Sequence, residues 1–461
     1  MQDGCTGLRV GIVGGGASGA LVAARLLRDS QQPIEVVVFE PRARLGEGVA
    51  YSTTDPLHLL NVPACGMSAL PEVPDHFVRW ANCAPTDFLP RSRYADYLEH
   101  LLAESVAEAP VGSELVHVRE RVIDVHTLGL RRVVTTSGQL YEFDALVMAT
   151  GNLPPHVPAP LRHLPSSVLT EDPWEGSVAE GLRPFSEVLV VGTGLTMIDV
   201  SMTVLNSVRG ARVHGVSRHG LVPLSHENPW RPRHDAPSVD DVTSWFAGAQ
   251  AIQALRPAMA YLRGWGEDWR RGLDSLRPVT QAMWQSMDDT TKEAFVSRLS
   301  RFWDVHRHRM APPIGARFNA LRSAGRISLH PATVVDAQVN ENGRVTVLLS
   351  DGSVLVVDKV VVCTGPNGQV DADPLARAMV DSGTAAPGPL GMGYQVDAET
   401  GAMIGMDEVT HERLFAVGPL RKGVLWETTA MPEIREQAAQ LSMLVRALLP
   451  SRAALREGSH A

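Results

Sequence analysis

A glycine-rich turn that joins an apolar strand to a helix leaves a chain few folds to choose from, and this sequence of 461 residues carries two such turns. The first lies in RVGIVGGGASGALVAARLL, from Arg9, where Gly14, Gly16 and Gly19 make GxGxxG between strand LRVGIV and helix ALVAARLLRD. Gly14 permits the tight turn, Gly16 lets a pyrophosphate reach the backbone, and Gly19 lets helix and strand pack closely. The exposed N–H groups of the helix N-terminus then face the phosphates. A second strand, IEVVVFE, ends at Glu40, which is placed to accept hydrogen bonds from a ribose. Gly14, Gly16, Ser18, Gly19 and Glu40 are the expected contacts of a first dinucleotide.

The second turn, in VLVVGTGLTMID from Val188, keeps Gly192 and Gly194 but has Met197 in the third glycine position. A larger residue there still admits a phosphate while holding the helix further from the strand. Glu40 lies 26 residues after Gly14, and the residue 26 after Gly192 is Arg218. A carboxylate repels a ribose 2′-phosphate, whereas a guanidinium grips it through charge-assisted hydrogen bonds. The spacing therefore points to NADPH in the second unit, with Ser217 and His219 as further phosphate candidates; the alternative for Arg218 is a solvated surface residue.

Two strands end in similar small-residue turns. EFDALVMATG leads to Thr150 and Gly151, VVDKVVVCTG leads to Thr364 and Gly365, and each follows a β-rich stretch. This layout resembles flavoproteins with two dinucleotide-binding domains, in which FAD occupies the first unit and NAD(P)H the second. The stretches GEGVAYSTTDPLHLLNVPACGMSALPEVPDHFVRWA and WDVHRHRMAPP resemble bacterial FAD/NAD(P)-binding oxidoreductases similar to class B flavoprotein monooxygenases, both flavin-containing and N-hydroxylating. The implied fold class is α/β, with two Rossmann-like dinucleotide-binding domains and a helical insertion in the second. Residues 1–165 and 366–461 form a discontinuous FAD domain, and 166–365 form an NADPH domain with the insertion at about 221–326.

The resemblance also places residues around the flavin. Asn61 falls in the segment that passes the isoalloxazine in those relatives, where an uncharged amide can donate and accept; the alternative is a local turn before Pro63. In RLFAVGPLRKGVLWETTAMPEIREQAAQL, Gly418 would let the flavin approach, although Pro419 replaces the aspartate that relatives carry there. Thr428 and Thr429 precede a helix, expected to start with a Thr cap and Pro432 in its first turn. Thr150, Gly151 and Gly365 complete the expected cofactor contacts.

Composition narrows the function classes. A net charge of −9 argues against a nucleic-acid partner. No apolar run is long enough to span a membrane, and no signal-like leader opens the sequence, so a cytoplasmic protein is expected. The four cysteines form no close pair, which disfavours a zinc site, a disulfide framework and disulfide reduction. Cys65 is alone near the flavin segment.

The insertion is expected to be helical, with Trp265 and Trp269 on one face as core. His306 and His308 point to different sides of a helix, so no metal site is expected. Arg307 and Arg309 either hold an anionic substrate or cofactor phosphate, or form a solvated basic face. The resemblance implies an FAD- and NADPH-dependent monooxygenase acting on a small amine or thioether through a C4a-(hydro)peroxyflavin. The FxGxxxHxxxW marker of ketone-oxidising relatives is absent. The alternatives are an NADPH reductase serving a protein, quinone or other acceptor, and a flavoprotein kept as a binding module. Neither substrate identity nor oligomeric state is legible.

Overall fold

The computed structural model describes residues 7–127, 131–227, 236–247, 251–365, 370 and 373–448. The first half of the chain forms β1 (Leu8–Val13), β2 (Ile34–Phe39), β3 (Glu114–Val118), an antiparallel meander of β4 (Val122–His126), β5 (Arg131–Thr135) and β6 (Leu140–Phe143), and then β7 (Ala145–Met148). The apolar runs VGIV, VVVF and LVM lack polar alternation because both faces of their sheet are covered, as a parallel sheet requires. Helices Ala17–Asp29, Arg91–Glu108 and Met431–Ala447 pack on one face, and the meander with helix Pro374–Asp381 packs on the other.

The second unit repeats the plan. It contains β8 (Leu169–Thr170), β9 (Glu187–Val191), β10 (Arg212–Ser217), β11 (Ile327–Pro331), a meander of β12 (Val334–Val339), β13 (Val345–Leu349) and β14 (Val354–Val357), and β15 (Lys359–Val362). Its sheet runs β11-β10-β9-β15-β8, with every pairing parallel. Helices Leu195–Ser207 and Pro312–Ser323 cover one face and the meander the other.

The chain then returns to its beginning. β16 (Ala402–Ile404) and β17 (Thr410–Ala416) extend the first sheet to the order β16-β17-β7-β1-β2-β3, with β17 parallel to β7. The first sheet thus draws strands from both ends of the sequence.

Between β10 and β11 lies a group of helices with its own apolar core. The single helix expected through Trp265 and Trp269 is broken. One helix, Arg256–Gly264, ends at Trp265, a short turn follows at Gly266–Asp268, and Trp269 opens the next helix, Trp269–Ser275. Gly266 has φ +51°, outside helical geometry, so the two rings do not share one helix face. Trp265 instead covers Gly272, where a Cβ would lie 2.4 Å from its ring, and Trp269 packs edge-on to His306.

Candidate active site

The two glycine turns are built alike. Gly14 has φ +101°, and a Cβ there would lie 2.4 Å from the carbonyl oxygen of Ala149; Gly192 has φ +104°, and a Cβ would lie 2.1 Å from that of Cys363. Each combines a left-handed backbone with a neighbouring strand end that leaves no room for a side chain. At Gly19 a Cβ would fall 1.9 Å from the Gly14 oxygen, so the first helix crosses directly against its turn. Met197, at the matching place, is fully buried and uses space next to Gly215 on β10, where a Cβ would lie 3.6 Å from its methyl. Gly16 and Gly194 are the N-caps of the two helices, and neither helix is capped by a side chain. That leaves first-turn N–H groups to meet an anion.

Strand register corrects the expected match between Glu40 and Arg218. The Gly14 N–H donates to Phe39 O (2.9 Å), and the Gly192 N–H donates to Val216 O (2.8 Å). Val13 pairs with Phe39, and Val191 with Val216. The counterpart of Glu40 is therefore Ser217, because the second unit is one residue shorter between turn and strand end. The side chains confirm the equivalence. Glu40, buried, accepts the Gly15 N–H (3.1 Å) and the Arg42 N–H (3.0 Å). Ser217 Oγ bonds Thr193 Oγ1 (2.7 Å), Thr193 being the residue after Gly192. Two hydrogen bonds leave the Glu40 carboxylate further lone pairs for a ribose. Arg218 is exposed one residue further on, beside exposed His219, and forms no ion pair among the described residues.

The two ends of the chain converge at the first turn. A Cβ on Gly418 would lie 2.7 Å from Ser18 Oγ and 4.0 Å from Thr428 O, and the Gly418 N–H donates to Gln437 Oε1 (2.8 Å). Thr428 is fully buried, and its hydroxyl has no hydrogen-bond partner among the described residues. Leaving a buried hydroxyl unsatisfied costs about 1–3 kcal/mol, which a bound polar group would recover. Thr429 is exposed and does not cap the next helix. That helix starts at Met431, its N-cap is Ala430 and no side chain caps it, with Pro432 in the first turn. The expected Thr cap is thus corrected, and the helix presents bare N–H groups. An orphaned hydroxyl, two uncapped helix N-termini and glycines without room for Cβ atoms suit a dinucleotide with a phosphate bridge.

Thr150 and Gly151, and Thr364 and Gly365, close their strands as expected, and no atom lies within 4 Å of a Cβ built on either glycine. The Thr364 hydroxyl donates to His156 O (2.8 Å), tying the second turn to the crossover between units. Asn61 is half-buried, and its carbonyl accepts a hydrogen bond from His226 Nε2 (2.9 Å). Burial first, and Arg309 second, push the His226 imidazole down to about 4, so it is neutral at pH 7. The Asn61 amide has no partner among the described residues.

Arg307 and Arg309 form neither a solvated face nor a free anion site. Both are buried; Arg307 Nε lies 3.6 Å from Glu427 Oε1, and Arg309 is paired with Asp274. Arg277 clasps Glu433 through two bonds of 2.6 and 2.7 Å. Glu427 also accepts the Trp303 indole N–H (3.0 Å). Burial disfavours its charge, yet Arg307, His308, Trp303 and Arg277 outweigh that and hold its carboxyl down at about 2. Glu427, Asp274, Glu433 and His226 were not singled out from the sequence. The partner of each lies far along the chain or on another element, so no local pattern marks them. Among the described residues no cluster could hold a metal ion, and no helix is long and apolar enough to cross a membrane.

Residues 11–153 match the FAD-NAD(P)-binding family model. No curated protein matches the sequence. Among solved structures, the reduced ornithine hydroxylase of Pseudomonas aeruginosa is 14% identical with a TM-score of 0.62, covering 96% of this chain and 100% of its own. The ornithine N-hydroxylase of Kutzneria sp. 744, with reduced FAD, NADP+ and L-ornithine, is 16% identical with a TM-score of 0.59, covering 96% and 99%. The bacillithiol disulfide reductase of Bacillus cereus is 16% identical with a TM-score of 0.55, covering 95% and 99%. The chain therefore carries, along nearly its whole length, the α/β fold with two dinucleotide-binding units that these two hydroxylases and this reductase share.

Proposed function

We propose that this chain is an NADPH-dependent FAD oxidoreductase, a monooxygenase acting on an amine nitrogen or thioether sulfur of a small molecule. The observation that carries the proposal is the contrast between two equally built turns, one facing a buried carboxylate and the other a hydroxyl followed by an exposed arginine. Residues 1–165 and 366–461 would form the FAD half and 166–365 the NADPH half, a division supported by the two sheets. Gly14, Gly16, Ser18, Gly19 and Glu40 would hold the adenosine diphosphate end of FAD, with Thr150 and Gly151 beside them. Gly418, Thr428 and the N-terminus of helix Met431–Ala447 would meet its flavin end; Thr429, exposed, is a weaker candidate. Gly192, Gly194, Gly365 and Arg218 would hold NADPH. Bound there, the two cofactors would supply hydride transfer from nicotinamide to flavin and the reduction of oxygen.

The protein's part is to bind, orient and exclude water. Helix N-termini place positive dipole ends against negative charge. Asn61, neutral and without an internal partner among the described residues, is the residue we assign beside the reacting edge, and the neutral His226 fixes its backbone. A substrate that depends on Arg307 and Arg309 for anion binding is not supported, because both already have carboxylate partners.

A reductase is the second reading, favoured by the fold shared with the Bacillus cereus enzyme. Disulfide chemistry is not supported by the cysteines. Cys65, Cys83 and Cys363 are all free, and burial raises the Cys65 thiol above its ordinary range. Cys5 lies outside the described residues. The free thiols support a cytoplasmic setting.

Rapid mixing of the NADPH-reduced protein with oxygen decides between the readings. Oxygenation gives a persistent absorbance distinct from reduced and oxidised flavin, and little peroxide per NADPH once substrate is present. Immediate return of oxidised flavin with stoichiometric peroxide would overturn it.

A further inference from the structure

We infer that Phe302, carried by the helical insertion, is the stacking platform for the adenine of the second dinucleotide, so that the insertion completes the nucleotide site. The inference rests on the NADPH reading proposed above and gives the insertion a part in it. The chemistry of the nucleotide fixes where its base must lie. In NADPH the 2′-phosphate and the adenine hang on adjacent carbons of one ribose, so a group that grips the phosphate has the base beside it. Ser217 holds the strand-end position that Glu40 holds in the first unit, and Arg218 and His219 follow it, both exposed. The ring that meets His219 is Phe302, with centroids 6.2 Å apart and planes inclined at 34°. Ribose, phosphate and base positions thus succeed one another along the chain, and the last of them faces the insertion.

Among the described residues, Phe185 and Phe302 are the exposed phenylalanines. Phe185 has a local task. It covers Gly210, where a Cβ would lie 2.3 Å from its ring, and it lies under the Arg209 guanidinium, 5.7 Å away. Phe302 is 47% exposed and leans on His219. Its helix, Ser300–Arg307, is anchored by the buried Val305 and Arg307, and the Val305 carbonyl accepts the Leu224 N–H (2.9 Å). The Leu221 carbonyl in turn accepts the Thr193 hydroxyl, inside the second glycine turn. A short chain of hydrogen bonds therefore fixes the insertion helix relative to Gly192 and Gly194. A platform held in place before binding loses little freedom when a ligand arrives. An aromatic face binds a purine by stacking, which does not depend on what the ribose carries. Phe302 would then set affinity for the base, and Arg218 the choice between donors with and without the phosphate.

Calorimetry on the FAD-loaded protein, with its first site already filled, tests this with 2′,5′-ADP and 5′-ADP as probes. Phe302→Ala is expected to weaken both probes about tenfold, within the range that base–aromatic stacking loses on truncation. Arg218→Ala is expected to weaken 2′,5′-ADP alone. Phe302→Trp, which keeps an aromatic face, is expected to bind both probes at least as tightly as the wild type. Phe302→Leu, which keeps apolar bulk without that face, replaces Phe302→Ala if the alanine variant loses its flavin colour. Unchanged affinity in the truncated variant, a loss confined to 2′,5′-ADP, or binding of neither probe to the wild type would overturn the assignment. Equal wild-type affinity for the two probes, with both weakened in Phe302→Ala, supports the platform while removing the NADPH preference, so the two fail separately.

Discussion

At the scale of single residues, the proposed choice between two dinucleotides rests on one side chain at the end of a strand. Glu40 and Ser217 occupy equivalent places, and each touches the residue after the first glycine of its turn. The sequence makes the substitution visible but misnumbers it. Phe39 lies 25 residues after Gly14 and Val216 only 24 after Gly192, and nothing local reveals the missing residue. In the proposed reading Ser217 removes a repelling carboxylate, and Arg218, one step outward and exposed, would supply attraction. We expect Ser217→Glu to reverse the preference toward NADH, read as the ratio of kcat/KM for the two donors. Arg218→Ala should raise KM for NADPH about ten- to hundredfold, the worth of charge-assisted hydrogen bonds, with little effect on NADH. Equal effects on both donors would remove Arg218 from the phosphate site.

At the scale of elements, the terminal helix is the informative one. Its Pro432 marks a first turn correctly, yet the two threonines before it divide their tasks in a way the sequence does not show. Thr429 points out, and Thr428 is sealed in with an unsatisfied hydroxyl. Thr428→Val keeps the shape and deletes the orphaned group. It should leave the flavin-free protein equally or more stable, by up to about 2 kcal/mol in urea, while weakening FAD retention several-fold on dialysis. A variant that holds FAD as tightly as the wild type would place the flavin elsewhere. The broken helix at Trp265–Asp268 was hidden for a related reason. Its pattern continues through Gly266, and only the backbone turn there separates the two tryptophans.

At the scale of the whole molecule, two buried charge networks join parts that sequence separates. Arg91, on the helix before β3, lies 2.8 Å from Asp199 on the helix of the second turn, with His58 against the Asp199 carbonyl (3.1 Å). Burial raises the Asp199 carboxyl despite Arg91, so the pair is held by geometry at a desolvation cost. Arg91→Met leaves a buried carboxylate without its cation and should cost about 3–5 kcal/mol in chemical denaturation. A change below about 1 kcal/mol would mean that the units are held together by other contacts. The second network binds the insertion to the C-terminal segment through Glu427 and Arg307. The Glu427 carboxyl is held at about 2 against an ordinary value of 4.5. A depressed folded-state pKa contributes stability above the unfolded value, lost as pH falls from about 4.5 to about 2. The contribution is on the order of 3 kcal/mol. Glu427→Gln should therefore be less stable than wild type at pH 7, with the gap closing by about pH 2; a gap independent of pH would contradict the pairing.

What the sequence alone determined is local in origin. Glycines with left-handed backbone and uninterrupted apolar strands are dictated by sterics within a few residues, so both turns and the doubled α/β plan are legible. What only the tertiary structure decided depends on distant groups meeting: the Ser217 register, the burial of Arg307 and Arg309, and the orphaned Thr428 hydroxyl. Register arises from the pairing of whole strands, and burial from which surfaces close over a side chain, and neither is written in any short stretch of chain.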